Sequence, residues 1–200
     1  MMQEVGTMIF SELIKKLQKS RVKILNLKDL KKLFGIKKDN TAYKVAEKLI
    51  KKEFLLPLKK GIYASTFREP SDFEIANCIY TPSYISLESA LNYYGILSQF
   101  PYTITSAAAK KTRRFEVKGK EYEYTQISKK LFWGMRKEKE FLIATPEKAL
   151  LDAIYLAAKG ARRFDFKEFD YSKINRSKFR KLSRNIKYLP FQNLLKGIKI

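Results

Sequence analysis

The sequence predicts an α+β chain in two parts, a small basic domain over residues 1–66 and a mixed α/β domain over 70–200 with a basic helical tail from about 160. Three observations carry this reading. Apolar residues recur at helical spacing through the first fifty residues and then give way to hairpin signals. From Ser71 onward, helix-start signals alternate with strand-like runs. The formal net charge of +22 is uneven: residues 1–64 hold +10, 65–159 hold +3 and 160–200 hold +9.

Helix one runs over 10–19, with Ile9, Leu13, Ile14 and Leu17 on one face. A short strand, Lys23-Ile24-Leu25, leads to helix two over 27–34. Asn26 caps it, Asp29 reaches back in a capping box, and Gly35 ends it. Helix three covers 40–52, capped by Asp39 or Asn40, with Ala42, Val45, Ala46 and Leu49 forming its apolar stripe. The apolar run 54–58, the Lys59-Lys60-Gly61 turn and Ile62-Tyr63 then make a two-stranded wing. That order is the pattern of a winged helix-turn-helix, whose second helix enters a DNA groove.

The expected DNA-binding residues follow from that placement. Asn40 suits adenine edges, Thr41 and Tyr43 a thymine methyl or phosphate, and Lys37, Lys38, Lys44 and Lys48 phosphate or guanine. Lys59 and Lys60, at the wing, suit the phosphate backbone. The bland alternative is an amphipathic helix with a solvated lysine face, or a winged helix serving as a protein-interaction module.

In the second part, Arg68-Glu69-Pro70 reads as a linker and Ser71-Asp72-Phe73-Glu74 as a capping box for a helix to about Ile79. Tyr84-Ile85 is extended, and Ser86 caps a helix over 87–94 that stops at Gly95. Residues 102–105 alternate as a strand, 113–117 and 121–125 flank a hairpin turn, and 141–144 is a buried strand. Thr145-Pro146-Glu147 opens a helix whose apolar face is Leu150, Leu151, Ile154, Tyr155 and Ala158. The tail from Asn175 reads as one basic amphipathic helix. Arg176, Lys178, Arg180, Lys181, Arg184 and Lys187 alternate there with Phe179, Leu182, Ile186 and Leu189. It packs with a solvated face, extends a DNA footprint or binds an acidic partner, and less readily lies on a membrane surface.

Composition excludes much chemistry. With no histidine there is no Ser-His-Asp triad, Cys-His dyad or histidine metal site, and Cys78 alone makes no internal disulfide. Cys78 is expected to be a buried small hydrophobe. No apolar run approaches the ~18 residues of a membrane span. Residues 1–10 do not read as a signal peptide, so a cytoplasmic protein is expected. No enzyme, cofactor, metal or catalytic residue is expected. The rival to weigh is a carboxylate- and metal-dependent nuclease built on Glu116-Val117-Lys118. Lys118 falls in the hairpin turn, and the upstream acids lie on the linker or helices, which argues against it.

A set of motifs carries a resemblance. Tyr84-Ile85-Ser86-Leu87-Glu88-Ser89-Ala90-Leu91, Tyr94-Gly95, Lys111-Thr112-Arg113-Arg114 and Ala144-Thr145-Pro146-Glu147-Lys148-Ala149-Leu150-Leu151-Asp152 resemble the C-terminal domain of the AbiEi family. With the winged helix, the resemblance spans about residues 10–160. It implies a DNA-binding antitoxin of a type IV toxin–antitoxin (abortive infection) system, a transcriptional regulator that represses its own operon. Its partners would be double-stranded operator DNA and a nucleotidyltransferase-like toxin, which the second domain counteracts without a stable complex. A lone winged helix reads few base pairs, so a homodimer or cooperative binding on DNA is expected.

Overall fold

The computed structural model describes residues 10–198, which form two compact units dividing between Ile79 and Tyr80. Ile9 and the reading of the N-terminal leader lie outside the described residues. The chain is mixed α and β.

In the first unit, α1 (Phe10–Lys19) turns Leu13 and Leu17 inward. Strand β1 (Ile24–Asn26) runs directly into α2 (Leu27–Phe34). Asn26 closes the expected capping box: its Oδ1 accepts from the Lys28 and Asp29 amides at 2.8 and 3.1 Å. Asp29 Oδ2 in turn accepts from the Asn26 amide at 2.9 Å. Gly35 ends α2 at φ 68°, a left-handed conformation that favours glycine.

Helix α3 (Asp39–Lys51) starts differently from the expectation. Its N-cap is Lys38, which makes no side-chain capping bond, and Asp39 and Asn40 already belong to the first turn. Asp39 is drawn instead to Lys31, 2.5 Å away, and in that first turn it still complements the helix dipole. Strands β2 (Leu55–Lys59) and β3 (Ile62–Ser65) form an antiparallel hairpin, and β1 pairs on the far side of β3. The sheet order is β1-β3-β2. Pro57 is tolerated because β2 is an edge strand.

Leu17, Leu25, Leu30, Leu49 and Leu55 are the innermost members of one core cluster, with Phe10, Phe54 and Phe67 packed against it. Phe54 stacks on Phe67 with ring centroids 5.7 Å apart. Helix α4 (Asp72–Ile79) completes this unit, although its sequence reads as the start of the second domain. Its capping box is present: Glu74 Oε2 accepts from the Ser71 amide at 2.7 Å. Lys23 Nζ reaches the same carboxylate at 2.9 Å and ties α4 back to the N-terminal strand region. Cys78 is half-buried rather than buried, and burial raises its thiol pKa.

The second unit is built on a six-stranded sheet and one central helix. In chain order come β4 (Ser83–Ile85), α5 (Leu87–Tyr93), β5 (Ile104–Ala108), β6 (Arg113–Val117) and β7 (Lys120–Gln126). Then come β8 (Met135–Glu138), β9 (Phe141–Ala144), α6 (Pro146–Ala158), α7 (Arg176–Ser183) and α8 (Leu189–Lys196). The sheet order β6-β7-β5-β4-β9-β8 mixes parallel pairs, β5 with β7 and β4 with β9, with antiparallel ones.

Four expectations are corrected here. The strand expected at 102–105 forms at 104–108, where Ala107 and Ala108 are poor strand formers held in place between β4 and β7. Ser86 does not cap α5. Its hydroxyl turns to Asp152, and the Ser89 amide is met by Thr105 Oγ1 at 3.0 Å. Helix α6 has no single apolar face: α5, α7, α8 and β9 surround it, so Glu147, Lys148 and Asp152 are buried along with its leucines. The tail is two helices, not one. Pro190 cannot continue a helix and instead sits in the first turn of α8, leaving Leu189 exposed while Ile186 is buried.

Candidate nucleic-acid interface

Helix α3 buries Ala42, Val45, Ala46 and Leu49, which leaves the opposite arc to water. On that arc, Asn40, Lys44 and Lys48 follow each other at steps of four residues and are exposed, as are Lys37 and Lys38 just before the helix. Among the described residues no carboxylate pairs with Lys37, Lys38, Lys44 or Lys48. Lys48 Nζ lies over the Phe10 ring, 5.0 Å from its centre, so its charge is shared with a cation–π contact while the residue stays exposed.

Thr41 and Tyr43 are half-buried. Tyr43 faces the β2–β3 turn: a Cβ built on Gly61 would lie 3.6 Å from its hydroxyl. The Tyr63 phenol shares this neighbourhood. Burial raises its pKa, ionised Tyr43 and the Glu47 carboxylate add to the rise, and a hydrogen bond with the Gly61 backbone opposes them. Tyr43 thus sits where α3 meets the hairpin that follows it.

The two turn lysines part ways. Lys59 Nζ donates to the Ile79 carbonyl at 3.0 Å, at the C-terminus of α4, where a cation also complements the helix dipole. Lys60 is exposed and, among the described residues, carries no such bond. Glu47, missed by the sequence reading, is also exposed on α3, three residues after Lys44. Its acidic charge interrupts the lysine arc, and helical spacing alone places it there.

In the tail, half-exposed Lys178 pairs with buried Glu147 at 2.7 Å, so its charge is met by a carboxylate of its own unit. That ion pair and the Asn175 amide hold the Glu147 pKa below its ordinary value, against the upward push of burial. Arg176, Arg180, Lys181, Arg184 and Lys187 are exposed and have no carboxylate partner among the described residues.

No family model matches the chain, and no curated protein matches it.

A buried polar group in the second unit also escaped the sequence reading. Lys148 Nζ donates to Tyr84 Oη at 2.9 Å and pairs with Asp152 Oδ1. Tyr84 Oη and Ser86 Oγ donate to Asp152 Oδ2 at 2.9 and 2.8 Å. The Lys148 ammonium lies 5.0 Å from the Trp133 ring centre. Gly134, at φ 76°, leaves the space this needs: a Cβ there would come within 3.0 Å of the Lys148 side chain. Burial, and then the Asp152 charge, push the Tyr84 phenol pKa well up, so it stays a neutral donor. Ser86 and Asp152 are 0 and 1 % exposed, so the group joins α6 to β4 and offers no reactive atom to a substrate. The signal in the sequence was Lys148 and Asp152, four apart in an otherwise apolar helix.

Glu116, the residue of the nuclease rival, is exposed on β6 opposite Glu121, with Lys118 in the turn beyond. Among the described residues, no group of three or more candidate ligands could hold a metal ion, and no helix is long and apolar enough to cross a membrane.

Proposed function

We propose that residues 10–65 form a winged helix-turn-helix and that the chain is a DNA-binding antitoxin of the AbiEi type. The observation that carries this is the order α1-β1-α2-α3-β2-β3 with the sheet order β1-β3-β2, together with a lysine arc on α3 that has no carboxylate partner among the described residues. In this arrangement α3 enters the major groove, and Asn40 and Lys44 lead the contacts to base edges and phosphates. Lys37, Lys38 and Lys48 flank them, and Lys60 at the wing tip touches the backbone. Tyr43, half-buried beside the β2–β3 turn, stands behind that surface.

The second unit counteracts a nucleotidyltransferase-like toxin, a reading supported by the motifs at 84–91 and 144–152. Those motifs build its centre, since Tyr84, Ser86, Lys148 and Asp152 bond to one another across β4 and α6. Repression of its own operon follows from α3.

Electrophoretic mobility shifts with the DNA upstream of the chain's own gene test the proposal. Retardation at low salt that Asn40→Ala and Lys44→Ala weaken is the expected result. No retardation of that DNA, or a stable salt-sensitive protein complex without DNA affinity, removes it.

A further inference from the structure

Where α7 gives way to α8, a shallow cleft of about 410 Å³, open to solvent, is lined by Arg184, Lys187, Leu189 and Gln192. The turn is held from within. Gln192 Nε2 donates to the Ser183 and Ile186 carbonyls at 3.3 and 2.8 Å, and the neighbouring Ile186 and Phe191 are buried. Those bonds use both amide donors and leave the Gln192 carbonyl oxygen as an open acceptor. Arg184 and Lys187 face the cleft with no carboxylate partner among the described residues, in contrast to Lys178, which Glu147 neutralises. Leu189 is 69 % exposed, an apolar wall beside two cations.

The geometry points to a nucleotide as the ligand of this cleft. Arg184 offers a planar fork for a phosphate and Lys187 a second, compact charge. Leu189 supplies a face for the base, and the Gln192 oxygen accepts from an amino or hydroxyl group. Inorganic phosphate would leave Leu189 and Gln192 idle, and an apolar ligand would not use the cations. A nucleotide engages all four. The assignment does not depend on what α3 does.

Calorimetric titration of the full chain with ATP, GTP, CTP and UTP in turn tests it. At least one nucleotide should bind with one site per chain. Binding should weaken about tenfold or more in Arg184→Ala/Lys187→Ala, the loss expected for charge-assisted phosphate contacts. Arg176→Ala/Lys181→Ala, which removes the same charge outside the cleft, should leave affinity within about twofold, since unpaired surface cations add little at a distance. Inorganic triphosphate should bind more weakly than the nucleotide. The assignment is overturned if no nucleotide binds, or if the two double variants lose equal affinity. It is also overturned if triphosphate binds as tightly as the nucleotide. A short thymidine oligonucleotide that binds more tightly, and loses that affinity in Arg184→Ala/Lys187→Ala, would assign the cleft to a nucleic-acid strand instead.

Discussion

Lys59 and Lys60 are neighbours in sequence with the same charge, yet they should behave differently on DNA. Lys37, Lys38, Lys44, Lys48 and Lys60 are exposed and, among the described residues, have no carboxylate partner, whereas Lys59 is held by the Ile79 carbonyl. If each of the first group neutralises one phosphate, log affinity should fall against log salt with a slope of about −4.5 per bound chain. That corresponds to a loss of roughly 500-fold between about 50 and 200 mM salt. Lys60→Ala should flatten the slope by about 0.9, and Lys44→Ala should do the same. Lys59→Ala should leave the slope where it is and instead loosen α4, by about 0.3–1 kcal/mol for a cation at a helix end. Fluorescence anisotropy of a labelled operator duplex, titrated across salt, reads the slopes. Equal slopes for Lys59→Ala and Lys60→Ala, or a wild-type slope shallower than about −2, would refute the assignment of these charges.

Other consequences can be measured independently. Asn40→Ala should relax sequence preference at one base pair by ~1–3 kcal/mol, read by competition among single-substitution operators; a uniform loss across all sequences would make Asn40 a backbone contact. Asp152→Ala strands a buried ammonium and should cost about 3–5 kcal/mol in urea unfolding, while Lys148→Met/Asp152→Leu recovers most of it. A single-variant cost below about 1 kcal/mol would show that the pair does not hold α6 to β4. Glu74 and Glu147 both have pKa values lowered from 4.5: burial pushes each up, but Ser71 and Lys23 outweigh it at Glu74, and Lys178 outweighs it at Glu147. Their stabilisation is therefore complete above the unfolded carboxyl pKa of about 4.3 and lost as pH falls through the lower folded values. The urea midpoint should drop on acidification, and Glu74→Gln/Glu147→Gln should flatten that drop. An unchanged pH profile in the double variant would remove these carboxyls as its source.

Local chemistry was legible in the sequence at several places where a residue's partner lies within a few positions, though not at Lys148 and Asp152, four apart. Asn26 and Asp29 close their capping box from three residues apart, Gly35 ends α2, Ser71 meets Glu74, and Thr145 and Pro146 open α6. The apolar stripe of α3, and with it the exposed lysine arc, is likewise a property of helical spacing alone. Where the pattern is weak, pairing with a neighbouring element decides the structure. Met135-Arg136-Lys137-Glu138 has no apolar alternation and becomes a strand only by pairing with β9. Asp39 looked like a cap but was claimed by Lys31 on the preceding helix.

What the sequence by itself determined is the helix-helix-hairpin order of the first unit, its surplus of lysine and the exclusion of histidine chemistry. The tertiary structure decided which charges remain available. Lys59 goes to the Ile79 carbonyl, Lys178 to Glu147 and Lys148 to Asp152 and Tyr84, while Lys44, Lys60 and Arg184 have no carboxylate partner among the described residues. The reason is physical: a charge is free or spent according to what packs beside it. The partners of Lys59 and Lys178, and Tyr84 beside Lys148, come from 20 to 64 residues away, beyond the reach of any local pattern.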